Sequence, residues 1–464
     1  MLSEILKSKG YTPTVPINPD LDFIGTESSF SFGEEVNAVD ATKKFPVVYR
    51  FHIGDTGPTT PQPIIDTAIA ALKDKQTKYA PFLGYPSVRA NIAAYLSKTR
   101  HTTITADNVM LMPGGKPAIE LSMQALLGPE DWVVGQNPAF PIYESLAKFY
   151  GRGRYLPWLA RKTEQGIDFE VADLEAILTS GKSIKLLVIN TPQNPTGTIL
   201  SRAKIERIAR LARQYKFMVL FDDIYSLISF GDEPHFSMLS VPGMLDYTIN
   251  LNGWSKDYAM TGWRFGYVVA PVWLIEIFGI LAINKWSCVN RINQIAGGVV
   301  FGDVEVNGKI YPSVADQVAA VVRSDVEVYK RKGRFLVSAL RLLSPFVVVS
   351  EAEGAFYLLP DIHQILELSF VRDELSITTD KQFCRWLLYE QGFACLAGID
   401  FGEGGRGHIR LSYAEDLEKH IIPGTKHLIR ICNDLIKKSG LTPPLSDDKI
   451  ESTLDELAQR FFPR

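Results

Sequence analysis

Between about residues 105 and 270, unbroken apolar runs alternate with segments whose apolar positions recur at helical spacing. The runs are 108–112, 132–136, 184–189, 217–222, 248–251 and 265–270; IELSMQALL, PIYESLAKFYG and SRAKIERIARLARQYKF lie between them. Strands with no polar alternation are buried on both faces, and helical segments between them supply the crossovers of a parallel sheet. The pattern predicts an α/β fold: a mostly parallel central sheet sandwiched by helices, forming a large domain over 51–325. Such sheets bind ligands at the C-terminal ends of their strands, so the residues just after each run matter most.

The flanks read differently. Residues 1–50 are irregular and rich in Pro, Gly and acids, and are expected to form an N-terminal arm or small-domain segment. A long helix is predicted over 314–343, ending near Ser344-Pro345. Beyond it the chain reads as strand (FVVVS), strand (AFYLL), helix (380–391), strand (HIRLSYA) and helix (418–438). A Pro-rich loop at 441–448 then leads to a last amphipathic helix. This is a smaller α+β domain, over 326–464.

Composition narrows the partners. The 464 residues are 46% hydrophobic and 22% charged, as in globular proteins, and carry a net charge of −3. With no basic excess, neither nucleic acid nor a membrane surface is expected as a partner, and small molecules are. Tyr267–Ile283 is the stretch most like a membrane span, but Pro271 and Glu276 interrupt it, and a buried strand running into a helix fits better. MLSEILKSKG has no apolar core of a secretory signal. Cys288, Cys384, Cys395 and Cys432 form no C-x-x-C pair, so neither a disulfide framework nor a metal site is expected, and a cytoplasmic location is.

Four segments carry chemistry. After the run 108–112 comes PGGKPAIEL, where Gly114 and Gly115 turn into a helix whose free N–H groups suit a phosphate. Taken alone, the Gly-Gly-Lys motif is weak, and a plain strand-to-helix turn is the favoured reading there. INTPQNPTG (189–197) makes a rigid loop presenting Asn194 at a strand's end, or simply a turn. In FDDIYSL, Asp222 ends an apolar strand, where an ionised carboxylate is costly without a cationic partner. An N-cap explains one acid, less naturally two and a Tyr. NGWSKDYAMTGWRFGY (252–267) sets Lys256 and Arg264 among aromatic and small residues just before a buried strand.

These segments, in this order, with a late HIRLSYA, resemble the class I/II aminotransferases, pyridoxal-phosphate enzymes of fold type I. SKDYAMTGWRFGY looks like that family's lysine signature, and the likeness runs from about residue 50 to 435. The resemblance implies pyridoxal 5'-phosphate held by Lys256 as a Schiff base, with the freed amine then serving as general base and acid. It implies that Asp222 pairs with the pyridinium nitrogen, and that Tyr225 and Asn194 bond the phenolic oxygen. The amides of Gly115 and Lys116, with Ser255 and Arg264, would bind the phosphate. Phe140 would stack on the ring or serve core packing. Arg410 matches the arginine that grips the substrate carboxylate, Gly54 a glycine completing that pocket, and Tyr79 a tyrosine reaching the phosphate of a neighbouring subunit. A homodimer with shared active sites follows.

The leading function is amino transfer from an amino acid to a 2-oxo acid. The alternative is a lyase or β/γ-substituting relative, including C–C bond-forming or S-adenosylmethionine-using enzymes that make aminocyclopropane carboxylate; nothing near Lys256 separates them. A DNA-binding regulator is excluded, because no helix-turn-helix pattern or basic cluster precedes residue 50. The chain departs from the family at Ala397, Thr56-Gly57 and Asp257. The segment NKWSCVNRINQ is unusually basic, so Lys285 or Arg291 is read either as an anion-recognising residue or as part of a solvated helix face or dimer salt bridge.

Overall fold

The computed structural model describes residues 6–25 and 28–463. Its centre is a seven-stranded sheet. The strands are β1 (Val109–Met112), β2 (Trp132–Asn137), β3 (Tyr155–Leu159), β4 (Ile184–Asn190), β5 (Met218–Asp222), β6 (Thr248–Gly253) and β7 (Gly266–Val269), in the order β1-β7-β6-β5-β4-β2-β3. β7 runs antiparallel to β1 and β6; the other neighbours are parallel. All six apolar runs are therefore strands. Alternate residues serve opposite faces: Leu186, Val188 and Leu220 join one buried cluster, while Leu187, Ile189, Val219 and Phe221 join the other.

β3 was not expected from the sequence. YLPWL contains Pro157, which lacks a ladder N–H, and β3 stands at the sheet edge where that loss is tolerated. Register sets the functional rim. Asn190 pairs with Asp222 and Asp222 with Leu251, so β4 and β5 end level and β6 runs on past them to Gly253. Gly266 pairs with both Gly253 and Met112. The reversed β7 therefore begins where β6 and β1 end, which brings Arg264 to the same rim.

A further core is built from Phe335, Leu336 and Leu340 of the helix Ala315–Leu340, with Phe356, Leu411, Ile429 and Leu454. It carries a three-stranded antiparallel sheet of Tyr357–Leu358, Ile409–Ser412 and Leu396–Ala397. The expected strand FVVVS is a single bridge between Val348 and Asp361. Val347 and Val349 are buried, but among the described residues only Val348 finds a ladder partner, so β-branched propensity outran the available edge.

The expected irregular arm is also corrected in part. Ser28–Ala41 is a helix, and Phe32, Val36 and Val39 pack at helical spacing against Leu388, Leu396 and Phe401. Residues 1–5 and 26–27 of that arm lie outside the described residues. Tyr49–Arg50 then pairs in parallel with Phe393–Ala394, which leads residues 51–54 toward the rim of the large sheet. The segment Tyr267–Ile283 forms β7 and most of the helix Val272–Lys285; among the described residues no helix is long and apolar enough to cross a membrane.

Candidate active site

At that rim lies a cavity of about 910 Å³. Lys256, Asp222, Tyr225, Asn194, Gly115, Lys116, Phe140, Ser255, Arg264, Gly54 and Arg410 all line it. Tyr79 does not: it is 83% exposed. Sequence-distant segments converge there: Gly115, Phe140, Asn194 and Lys256 follow the ends of β1, β2, β4 and β6, Asp222 closes β5, Arg264 precedes the reversed β7, and Arg410 comes from the strand Ile409–Ser412 of the smaller sheet.

Asp222 ends β5 and is 4% exposed. Tyr143 Oη donates to its Oδ2 at 2.6 Å and the Ile224 amide to its Oδ1 at 3.0 Å. Burial outweighs both bonds and pushes the carboxyl up to about 7. Asp223 beside it has the opposite fate. His235 Nε2 (2.9 Å), Ser237 Oγ (2.7 Å) and Asn250 Nδ2 (2.8 Å) bond its carboxylate, with Arg100 at 3.7 Å. Against the cost of burial, His235 and Arg100 hold it below the usual carboxylate range. One acid is satisfied by the protein; the other faces the cavity awaiting a cation.

The rim between β1 and β7 suits an anion. The helix Lys116–Leu126 starts at Gly115 and aims its unbonded N–H groups and positive dipole end there. Arg264 is held at φ +54°, with its Nη1 donating to Thr261 O at 2.8 Å. Gly114, at φ +91°, makes room for it, since a Cβ there would lie 2.6 Å from Arg264 Nη2. Ser255 and Lys116 complete this end, and Lys116 Nζ stands 5.6 Å from the Phe140 ring.

At the other end, Arg410 is 2% exposed. Its Nη2 donates to His52 O at 2.5 Å, its Nη1 lies 3.5 Å from Asn194 Oδ1, and its guanidinium lies over Tyr357 (4.6 Å) and Phe401 (5.1 Å). Lys256 Nζ donates to Gly54 O, to which Tyr357 Oη also donates at 3.4 Å. Tyr225 and Tyr357 share a hydroxyl contact of 3.2 Å. Sequence reasoning missed Tyr143, Tyr357 and His52. Tyr143 follows Phe140 by one helical turn, a usable signal; Tyr357 sits in an apolar strand that reads as core.

Two of the departures find physical reasons; that at Ala397 has none in the structure. Gly57 stands where any Cβ would come 2.0 Å from Ala414 O, so no side chain fits. Asp257 is buried and accepts from Ser226 Oγ (3.0 Å) and the Leu227 amide (3.2 Å), tying the turn after β5 to the loop carrying Lys256. Burial raises its carboxyl well above the usual range. Lys285 pairs with Glu120, while Arg291 bonds Gln76 Oε1 (3.0 Å) and the Tyr79 carbonyl; neither lines the cavity.

The model of the family described as aminotransferase class I and II matches residues 51–420. This chain belongs to that family. It is 28% identical over 415 residues to an aspartate aminotransferase of Sulfolobus acidocaldarius, covering 89% of this chain and 97% of that one. The aspartate aminotransferase of Thermus thermophilus solved with maleate superposes with a TM-score of 0.78 at 25% identity, covering 90% of this chain and all (100%) of that one. An aromatic aminotransferase of Pyrococcus horikoshii gives a TM-score of 0.74 at 26% identity, covering 88% and 100%. Class I and II aminotransferases use pyridoxal phosphate, and the chain is a pyridoxal-phosphate-dependent transferase of fold type I acting on an amino acid and a 2-oxo acid. The donor set fits that cofactor: Gly115, Lys116 and Arg264, for which Gly114 makes room, a buried acid with no cationic partner among the described residues, and an amine line one cavity.

Proposed function

We propose that this cavity is where the amino group is transferred, with Lys256 as the residue that carries the cofactor's aldehyde and moves the Cα proton. The supporting observation is that Lys256, Asp222, Arg264 and Arg410, from separate segments, line one cavity. Bound pyridoxal phosphate supplies an electron sink when a Cα bond breaks. Asp222, ionised once a cation meets it, would keep the ring nitrogen protonated; Tyr225 and Asn194 would bond the phenolic oxygen. Gly115, Lys116, Ser255 and Arg264 would hold the phosphate and Phe140 the ring face. Arg410 would grip the substrate α-carboxylate beside the Gly54 carbonyl, orienting the Cα bond to be broken.

We read the active form as a cytoplasmic homodimer. The helix Val272–Lys285 exposes Trp273, Ile277, Ile280 and Ile283 along one stripe, and a Cβ at its Gly279 would meet Phe82 at 2.9 Å. The loop bearing Tyr79 thus adjoins an apolar face suited to a second copy, where Tyr79 would reach the partner's phosphate site. Cys384 and Cys395 are free thiols 3.5 Å apart, which suits a reducing compartment. The packing of Phe32 and Val36 against Leu388 and Leu396 supports grouping residues 1–50 with 326–464 as a small domain beside a large one at 51–325.

The names of the reported relatives favour transfer over elimination or substitution. The test is a half-reaction. Holoenzyme mixed with amino acids and no oxo acid should yield pyridoxamine phosphate and the matching 2-oxo acid, and Lys256→Ala should lower that rate by at least roughly 10³-fold. Release of an elimination product with no pyridoxamine phosphate would contradict the assignment.

A further inference from the structure

In the sequence AFYLL reads as an apolar core strand, and both of its aromatic residues are buried. They do different things. Phe356 stacks on Tyr329 in the core, with centroids 5.2 Å apart, whereas Tyr357 lines the cavity. There Tyr357 meets four segments of the site. Its hydroxyl lies 3.2 Å from that of Tyr225 and 3.4 Å from the Gly54 carbonyl oxygen. The Arg410 guanidinium lies over its ring at 4.6 Å. Its main chain supports the loop bearing Asn194: a Cβ on Gly197, which sits at φ +72°, would come 2.1 Å from the Tyr357 carbonyl oxygen. Strand register fixes this placement. Tyr357 pairs with Ser412, and Arg410, two residues before Ser412, shares its face of the small sheet.

The hydroxyl does more than pack. Tyr225 is 4% exposed, and among the described residues its hydroxyl has Tyr357 Oη as its hydrogen-bonding partner, with either oxygen able to donate. Burial above all holds the Tyr225 phenol well above its usual range, so Tyr225 keeps one proton to give. In the function proposed above that proton goes to the cofactor's phenolic oxygen. A hydroxyl that has given its proton still offers acceptor lone pairs, and Tyr357 Oη is in place to fill one. A donor that itself accepts a hydrogen bond is polarised and donates more strongly, by roughly 10–30% per bond. Packing alone does not call for this oxygen: phenylalanine at 357 would keep the strand pairing and the ring under Arg410.

We propose that Tyr357 is a positioning residue with two arms: its hydroxyl donates to Tyr225 and strengthens that residue's bond to the cofactor's phenolic oxygen, while its ring seats Arg410 for the substrate α-carboxylate. This role rests on the cofactor reading of the same cavity and adds a residue to it. The more firmly Tyr225 bonds the phenolic oxygen, the less that oxygen's negative charge retains a proton on Lys256 Nζ, and the lower the pH at which the proton leaves.

The test is a pH titration of the holoenzyme's visible absorption, which reports that proton, in the parent, Tyr357→Phe, Tyr225→Phe and the double variant. Tyr357→Phe should raise the midpoint by roughly half a pH unit; added to Tyr225→Phe it should cause no further shift, because its effect runs through Tyr225. The ring is read separately, with the amino acid that converts fastest in the half-reaction. Its half-saturating concentration should rise by roughly three- to tenfold in Tyr357→Leu and by less than about twofold in Tyr357→Phe. A midpoint unmoved by Tyr357→Phe, or a full further shift on top of Tyr225→Phe, overturns the role of the hydroxyl. Equal half-saturation in Tyr357→Leu and the parent overturns the role of the ring. A parent that takes up no coloured cofactor overturns the proposed function itself, whatever the variants do.

Discussion

Two adjacent aspartates show how environment assigns roles. Asp223 is bonded on all sides and held ionised, whereas Asp222 is buried with one hydroxyl and one amide for company and is pushed up to about 7. In the cofactor-free protein the folded chain therefore binds a proton at Asp222 that the unfolded chain releases above about pH 4. The stability linked to this group is full below that pH and is lost as pH rises toward and through about 7. Between about pH 5 and pH 8, the parent apoprotein should lose more unfolding free energy than Asp222→Asn, by at most on the order of 3 kcal/mol. Equal slopes in denaturant titrations would show that the carboxyl is not so buried. Asp257 gives a second contrast. Its carboxyl is kept toward the neutral form by burial, so Asp257→Asn should be tolerated, while Asp257→Ala should cost about 2–3 kcal/mol by orphaning Ser226 and Leu227. Asp222 was legible in the sequence because an acid closing an apolar strand demands a partner. His52 was not: nothing in FHIGD shows that its backbone holds Arg410 while its ring meets a helix from the arm.

At the scale of elements, the site exists because neighbouring parallel strands end along one rim and one strand runs backwards. The apolar runs announced β1, β2, β4, β5, β6 and β7, and hence which loops carry chemistry. They did not announce the reversal of β7, which depends on tertiary packing, nor β3, which Pro157 disguised. The helix Ser28–Ala41 was hidden by flanking Gly and acids although Phe32, Val36 and Val39 keep helical spacing. The turn between β1 and the helix Lys116–Leu126 offers a direct test. Gly114→Ala places a Cβ against Arg264 and forces a left-handed backbone on a residue that resists it, costing about 1–3 kcal/mol. Cofactor affinity should fall by at least roughly tenfold, as the displaced guanidinium leaves the phosphate end. Unchanged affinity by fluorescence titration would remove Arg264 from that role.

For the whole molecule, the proposed shared site takes two copies. The stripe Trp273, Ile277, Ile280 and Ile283 adjoins the loop bearing Tyr79, which Arg291 holds through its carbonyl. Ile280→Glu should shift sedimentation from dimer to monomer and remove activity together with it; a fully active monomer would contradict the shared-site reading. Everything in turn depends on which amine holds the cofactor. The most direct measurement is borohydride reduction of the holoenzyme, followed by proteolysis and mass mapping of the pyridoxyl group. The account predicts that label on Lys256 and its loss in Lys256→Ala. Label on Lys116 or another lysine, or no label on a cofactor-loaded protein, would contradict it.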